Sequence, residues 1–74
     1  MEDYIISVNR IEELQMIKDI QSLESIMERA RRAIIGGAAV ILVRESAGGK
    51  QEKFDAITDE TGFRQYRERV FRYL

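Results

Sequence analysis

Four stretches of the chain differ in the spacing of their apolar residues, and each spacing predicts an element. Residues 4–8 are rich in β-branched side chains, which predicts a short strand. Residues 10–35 lack Pro and Gly and carry apolar residues at helical spacing, which predicts helix. Residues 38–57 hold the most apolar run of the sequence and then a Gly pair, which predicts a β-hairpin. Residues 63–74 again have helical spacing, which predicts a final helix.

This element order predicts a small two-layer α+β domain. Its order is β-α-(α)-β-β-α, and its sheet is expected to be mostly antiparallel, with two or three strands and helices packed on it. The N-terminal strand is expected to flank the inner strand of the hairpin. The final helix buries one stripe, made of Phe63, Tyr66, Val70 and Leu74.

The helical segment 10–35 contains two apolar stripes that point in nearly opposite directions. Ile11, Leu14 and Ile17 form the shorter stripe. One straight helix would be about 40 Å long at 1.5 Å per residue, whereas a nine-residue strand spans about 30 Å. Either the helix breaks near residues 19–22, with Ser22 capping a second helix, or it continues and its first turns pack against a second copy. The longer stripe has 4-3-4-3-4 spacing and comprises Met16, Ile20, Leu23, Met27, Ala30 and Ile34.

Polar residues and glycines beside these stripes predict helix ends and one ion pair. Asn9 is the predicted N-cap of the first helix, because Glu12 three residues later completes a capping box. Gly36 suits the left-handed position that follows many helices. Arg67 falls inside the stripe of the last helix, so its stem is expected to pack while its guanidinium reaches an acid such as Asp55.

Charge pairing across the hairpin predicts its register. A two-residue loop at the Gly pair would oppose like charges, whereas a three-residue loop, 47–49, pairs Arg44 with Glu52 and Leu42 with Phe54. In that register one face carries Ala38, Val40, Leu42, Phe54 and Ala56, and the other carries Ala39, Ile41 and Val43 opposite Ile57, Asp55 and Lys53.

Size and composition restrict the class of protein. A chain of 74 residues is expected to form one domain, 1–74, with a small core that often gains stability by oligomerisation. The absence of Cys and His excludes disulfides, thiol chemistry and the commonest transition-metal ligands. The longest apolar run is too short to span a bilayer and the N-terminus lacks the basic region of a secretory signal, so a cytoplasmic protein without a membrane partner is expected.

The net charge of −1 is unevenly distributed. Residues 1–28 hold seven acids and two bases, whereas residues 29–53 hold six bases and two acids. Such an uneven charge distribution can steer a charged partner toward the protein. It also fits the helix dipole, because arginines near the C-terminal end of a helix are favourable.

No motif predicts catalysis, and no catalytic residue, metal site or cofactor is expected. Gly48-Gly49-Lys50 resembles the end of a phosphate-binding loop. That motif, however, requires Gly where this chain has Arg44 and Ser or Thr where it has Gln51, and it leads into a helix rather than a strand. The three residues are therefore interpreted as part of a hairpin turn.

If the long helix breaks, the order strand-helix-helix-strand-strand-helix resembles the topology of KH-type RNA-binding domains. A GXXG loop between the first two helices clamps the RNA backbone in that family. Residues 18–22, Lys-Asp-Ile-Gln-Ser, contain no Gly. The resemblance is one of topology alone and assigns no family.

Two functions follow as hypotheses. The first is a non-catalytic protein–protein interaction module, acting as a homodimer or as a small subunit of an assembly, because the apolar surface exceeds what so short a chain can cover. Its candidate interface residues are Ile11, Leu14, Ile17, Ile41 and Val43. The alternative is a nucleic-acid-binding domain, whose candidate phosphate contacts are Arg29, Arg31, Arg32, Arg64 and Arg72.

Overall fold

The structure is a computed structural model that describes residues 2–72 and residue 74. Over this range the chain is a small α+β fold in the order β-α-α-β-β-α, which confirms the predicted class and element order. The elements are β1 (Tyr4–Ser7), α1 (Val8–Met16), α2 (Ile20–Ile35), β2 (Val40–Glu45), β3 (Gln51–Ile57) and α3 (Glu60–Phe71). The strands form a mixed sheet in the order β1-β2-β3, with β1 parallel and β3 antiparallel to β2. The most apolar strand is therefore the central one.

The helical segment 10–35 is broken, which decides between the two alternatives. α1 ends at Met16 and α2 begins at Ile20, with Lys18 between them in the left-handed region at a φ of 55°. Asp19 caps α2 in place of the predicted Ser22: its Oδ1 accepts the Ser22 N–H at 3.1 Å and its Oδ2 accepts the Ser22 hydroxyl at 2.8 Å. These hydrogen bonds favour the charged carboxylate, so the pKa of Asp19 is lowered below its usual value.

Asn9 is not an N-cap, contrary to the prediction, because α1 begins at Val8 directly after β1. Its side chain instead lies against β2: Oδ1 accepts the Glu45 N–H at 2.9 Å and Nδ2 donates to the Glu45 carbonyl at 3.0 Å. At the opposite end of β1, Asp3 Oδ1 accepts the Ala39 N–H at 3.0 Å. Two side chains therefore continue the hydrogen bonding of β2 beyond the short strand β1.

The end of α2 is displaced by one residue from the prediction. Gly36 has a helical φ of −76°, and Gly37 takes the left-handed position at a φ of 90°. The Gly37 N–H donates to the Ile34 carbonyl at 3.0 Å and the Ala38 N–H to the Ala33 carbonyl at 2.9 Å. This pair of bonds is the Schellman motif, which satisfies carbonyls at the helix end.

The hairpin has the predicted three-residue loop. The Ser46 N–H donates to the Lys50 carbonyl at 2.8 Å, which closes a loop of residues 47–49. Arg44 lies opposite Glu52, as charge pairing predicts.

Beyond this loop the register changes. Val43 lies opposite Lys53 but Leu42 lies opposite Asp55, so Phe54 is the extra residue of a β-bulge. The predicted pair of Leu42 with Phe54 is therefore wrong. From the bulge onward, the side chains of β3 lie on the opposite faces from those predicted.

The described helices pack on one face of the sheet. The shortest Cα extent is 16 Å, about the thickness of one sheet and one helix layer. Both predicted stripes contribute to a single core because the break turns α1 back toward the sheet, although Met16 and Ile20 remain exposed. The core comprises Ile6, Val8, Ile11, Leu14, Leu23, Met27, Ala30, Ile34, Val40, Leu42, Ile57, Phe63, Tyr66 and Val70.

Candidate interaction surfaces

The sheet face opposite the helices is apolar and is not covered by any described element. Alternation along the strands places five apolar residues there, which we call the open face: Ile5, Ile41, Val43, Phe54 and Ala56. The exposed fractions of Ile5 and Phe54 are 56% and 57%, and Ile41 beside them is half-buried. Single exposed apolar residues are ordinary, whereas a contiguous group on one face makes that face a candidate interaction surface.

Phe54 lies on the open face because of the bulge. In the predicted register it would lie with Leu42 on the helix side. The extra residue moves it to the open face and brings Ile57 opposite Val40, where Ile57 is buried. Sequence reasoning therefore missed Phe54 and, with it, Ile5 as surface residues.

The hairpin contributes two charged side chains of opposite sign to this face. Lys53 lies opposite Val43, and Glu45 lies two residues beyond Val43 along β2. Glu45 Oε1 also accepts a hydrogen bond from Gln51 Nε2 at 3.2 Å. An apolar centre beside one base and one acid is a pattern that can complement itself.

The five predicted interface residues separate into three groups. Ile11 and Leu14 are buried in the core of the chain, so they are not available to a partner in the folded protein. Ile41 and Val43 lie on the open face, where Ile41 is half-buried and Val43 is only 5% exposed. Ile17 directly follows α1 and is exposed at the corner between α1 and α2.

The five arginines predicted to contact nucleic acid do not share one surface. Arg31 and Arg64 line one cleft of about 240 Å³ between α2 and α3. Arg29 lines a different cleft. Arg32 is paired with the carboxylate four residues before it, at 3.3 Å, and Arg72 lies at the end of α3.

Arg67 joins the cleft of Arg31 and Arg64, which sequence reasoning did not indicate. Its side chain is not held by Asp55 as predicted, since no carboxylate of residues 2–72 and 74 lies within 4 Å of its guanidinium. The guanidinium lies instead over the Phe71 ring, 4.8 Å from the ring centroid. This cation–π contact stabilises the Arg67 guanidinium and leaves its positive charge in place.

Within the described residues, Tyr66 is the buried side chain whose polar atom has no partner. Its hydroxyl is enclosed and makes no hydrogen bond. Burial raises the pKa of Tyr66 to about 12; Arg69, 5.7 Å from the ring centroid, opposes this rise and Glu12 adds to it. The hydroxyl therefore stays protonated at neutral pH. Because it is enclosed, a substrate has no access to it, and we assign Tyr66 to the core.

The structure and the comparisons add three findings. Among residues 2–72 and 74, no group of three or more His, Cys, Asp or Glu side chains could hold a metal ion. No helix in that range is long and apolar enough to cross a bilayer. Comparison with models of protein families, with known proteins and with solved structures gives no match.

The connection between α1 and α2, residues 17–19, contains no Gly, so the resemblance to KH domains extends to element order only.

Proposed function

We propose that this chain is a non-catalytic protein–protein interaction module that acts as a homodimer, with the open face as its interface. The observation that carries the proposal is the exposure of Ile5 and Phe54 on a sheet face that no described helix covers. Removing apolar surface from water is favourable by about 25 cal/mol per Å². A small core without disulfides gains further stability from such burial in a dimer.

The partner is expected on the face of the sheet rather than at its edges. At one edge β1 has four residues, too few for an extended strand pairing. At the other edge β3 contains the bulge and carries charged side chains, both of which discourage pairing with another strand. The Ala56 N–H is also engaged already, since it donates to Asp55 Oδ1 at 2.8 Å.

Size and charge favour a second copy as the occupant. The two longer Cα extents of the whole molecule, 30 and 29 Å, leave room around the open face for the roughly 800 Å² that each partner contributes to a standard interface. A two-fold axis repeats every contact. Lys53 of one copy can therefore face Glu45 of the other in two equivalent ion pairs, with Phe54 near the centre.

Sedimentation equilibrium at increasing concentration tests the proposal on the whole chain. We expect a dimer at high micromolar concentration and a marked loss of affinity in Phe54→Ser. Full burial of a Phe side chain contributes about 1.5–3 kcal/mol, and Phe54 is 57% exposed before association, so each copy gains about half of that. Each dimer loses two such contributions in the variant, so the dissociation constant should rise by about 10-fold or more. Ile35→Ser is the matched control, because Ile35 is equally exposed, at 57%, but lies at the end of α2.

Two results would overturn this proposal. One is a monomer throughout the concentration range. The other is dissociation in Ile17→Ser but not in Phe54→Ser, which would locate the contact at the corner between α1 and α2 rather than on the open face. Circular dichroism of each variant verifies that the fold is retained.

A further inference from the structure

We propose that the cleft lined by Arg31, Arg64 and Arg67, which we call the arginine cleft, binds phosphate groups as a nucleic-acid strand presents them. The cleft has a volume of about 240 Å³ and lies between α2 and α3. It belongs to the helix layer, on the opposite side of the molecule from the open face. Phosphate binding therefore does not depend on the proposed dimer.

Helix geometry brings the three arginine side chains to the same cleft. Arg64 and Arg67 are three residues apart on α3, so they lie on the same side of that helix. Arg31 follows Met27 by four residues on α2, and both line the groove against α3. Phe63 lines the cleft and is buried, which places apolar surface beneath the arginines.

The charges of the arginine cleft are not balanced by nearby acids. Glu60 is the acid that lines it. Glu28 is close to Arg31 in the adjoining groove, but its Oε1 is held by Arg32 at 3.3 Å. Within residues 2–72 and 74, no carboxylate lies within 4 Å of the three cleft arginines. Three cations with one anion leave a net positive charge along the cleft, and a bound anion offsets the repulsion between the arginines.

Phosphate is the anion that this arrangement fits best. Guanidinium groups present parallel N–H donors that match phosphate oxygens, and their charge is permanent. Because Phe63 is buried, it is not free to stack on a base, so the cleft should contact the backbone and tolerate any sequence. Acids in the adjoining groove, at Glu24 and Glu28, limit the contact to a few phosphates.

Fluorescence anisotropy with a labelled oligothymidylate, measured at increasing salt, tests the assignment. We expect binding at low salt that weakens as salt rises. Arg31→Gln and Arg64→Gln should each weaken it and reduce the slope of log K against log salt by about 0.7. Arg29→Gln and Arg72→Gln are the matched controls, since they remove the same charge from exposed positions outside the cleft and should leave the slope unchanged.

Four results would overturn the proposal. The first is no change in anisotropy at the lowest salt, and the second is an equal loss of affinity in the control variants. The third is equal binding of polyglutamate, which would remove the assignment to phosphate. In the fourth, inorganic phosphate shifts the amide signals of the cleft as strongly as the oligonucleotide does, which indicates a site for free phosphate. Phe54→Ser should bind the oligonucleotide normally, so failure of the dimer and failure of this site are distinguishable.

Discussion

Replacing Tyr66 with Phe should stabilise the protein at neutral pH. The Tyr66 hydroxyl is enclosed and makes no hydrogen bond. A buried polar group without a partner costs about 1–3 kcal/mol, whereas the ring that remains in the variant keeps its packing in the core. We expect the free energy of unfolding to rise by about 1 kcal/mol, which corresponds to an increase in melting temperature of about 4–8 °C in a domain of this size.

The same substitution should change the response to alkaline pH. The pKa of Tyr66 is raised to about 12 in the folded chain from an ordinary value of 10.0, so the folded state holds this proton more tightly than the unfolded state does. The resulting stabilisation is fully present below pH 10 and is lost as pH rises through about 12. Two pH units correspond to about 3 kcal/mol. Tyr66→Phe should lack this part of the alkaline destabilisation.

Chemical denaturation at neutral pH and at several alkaline pH values measures both effects. Tyr4→Phe is the control, since Tyr4 is half-buried at the sheet and its replacement leaves the Tyr66 hydroxyl in place. A loss of 1 kcal/mol or more in Tyr66→Phe at neutral pH would refute the reasoning, because the hydroxyl would then have a partner. The same conclusion would follow if Tyr66→Phe and the parent lost stability equally between pH 10 and 12.

Two further substitutions test the helix and strand ends. Asn9→Ala removes both side-chain hydrogen bonds to the Glu45 backbone and should lower the free energy of unfolding by about 1–2 kcal/mol. The Glu45 amide should also exchange faster, and unchanged exchange there would contradict the contact. Asp19→Ala removes the cap of α2 and should lower the melting temperature at neutral pH. The pKa of Asp19 is lowered in the folded state, so its charged carboxylate stabilises the fold at pH values above the ordinary pKa of 3.8. That stabilisation is lost as the pH falls through the lowered pKa of the folded state. The parent and Asp19→Ala should therefore converge in melting temperature in acid, and a constant difference would disprove this role.

Elements defined by local spacing were accessible from the sequence. The stripe of Phe63, Tyr66 and Val70 follows from intervals of three and four residues, and all three are buried in α3. The loop at residues 47–49 follows from charge pairing and from a Gly pair, and Gly48 and Gly49 both have positive φ values, of 89° and 81°. In each case neighbouring residues decide the conformation, so no knowledge of the fold is needed.

The break and the bulge were not accessible in the same way. No Gly or Pro marks the break, and Lys18 adopts a left-handed conformation that a non-glycine residue takes only when its surroundings require it. Arg44 and Glu52 pair between the loop and the bulge, so their pairing is the same with or without the extra residue. Charge pairing therefore does not predict the bulge further along β3. One inserted residue then reversed the faces assigned to Phe54 and Ile57.

The candidate surfaces depend on tertiary structure, which explains why sequence reasoning found only parts of them. Ile41 was predicted as an interface residue from its apolar strand, but Ile5 and Phe54 join it only through the sheet register. Arg31 and Arg64 belong to different helices and share a cleft because α3 packs on α2. The burial of Ile11 and Leu14 likewise depends on where α1 turns.

The parallel pairing of β1 with β2 has a consequence for the order of folding. The β2–β3 hairpin closes over three residues, whereas Tyr4 meets Val40 only after the chain has folded back over 36 positions. Closing the longer loop costs more chain entropy, so we expect the hairpin to form early and β1 to dock last. Faster native-state exchange at Ile6 than at the hairpin amides would agree with this order, and slower exchange at Ile6 would contradict it. When β1 and α1 open together, they uncover an edge of β2 that the β1 strand of another chain can pair with, which is a route to domain swapping.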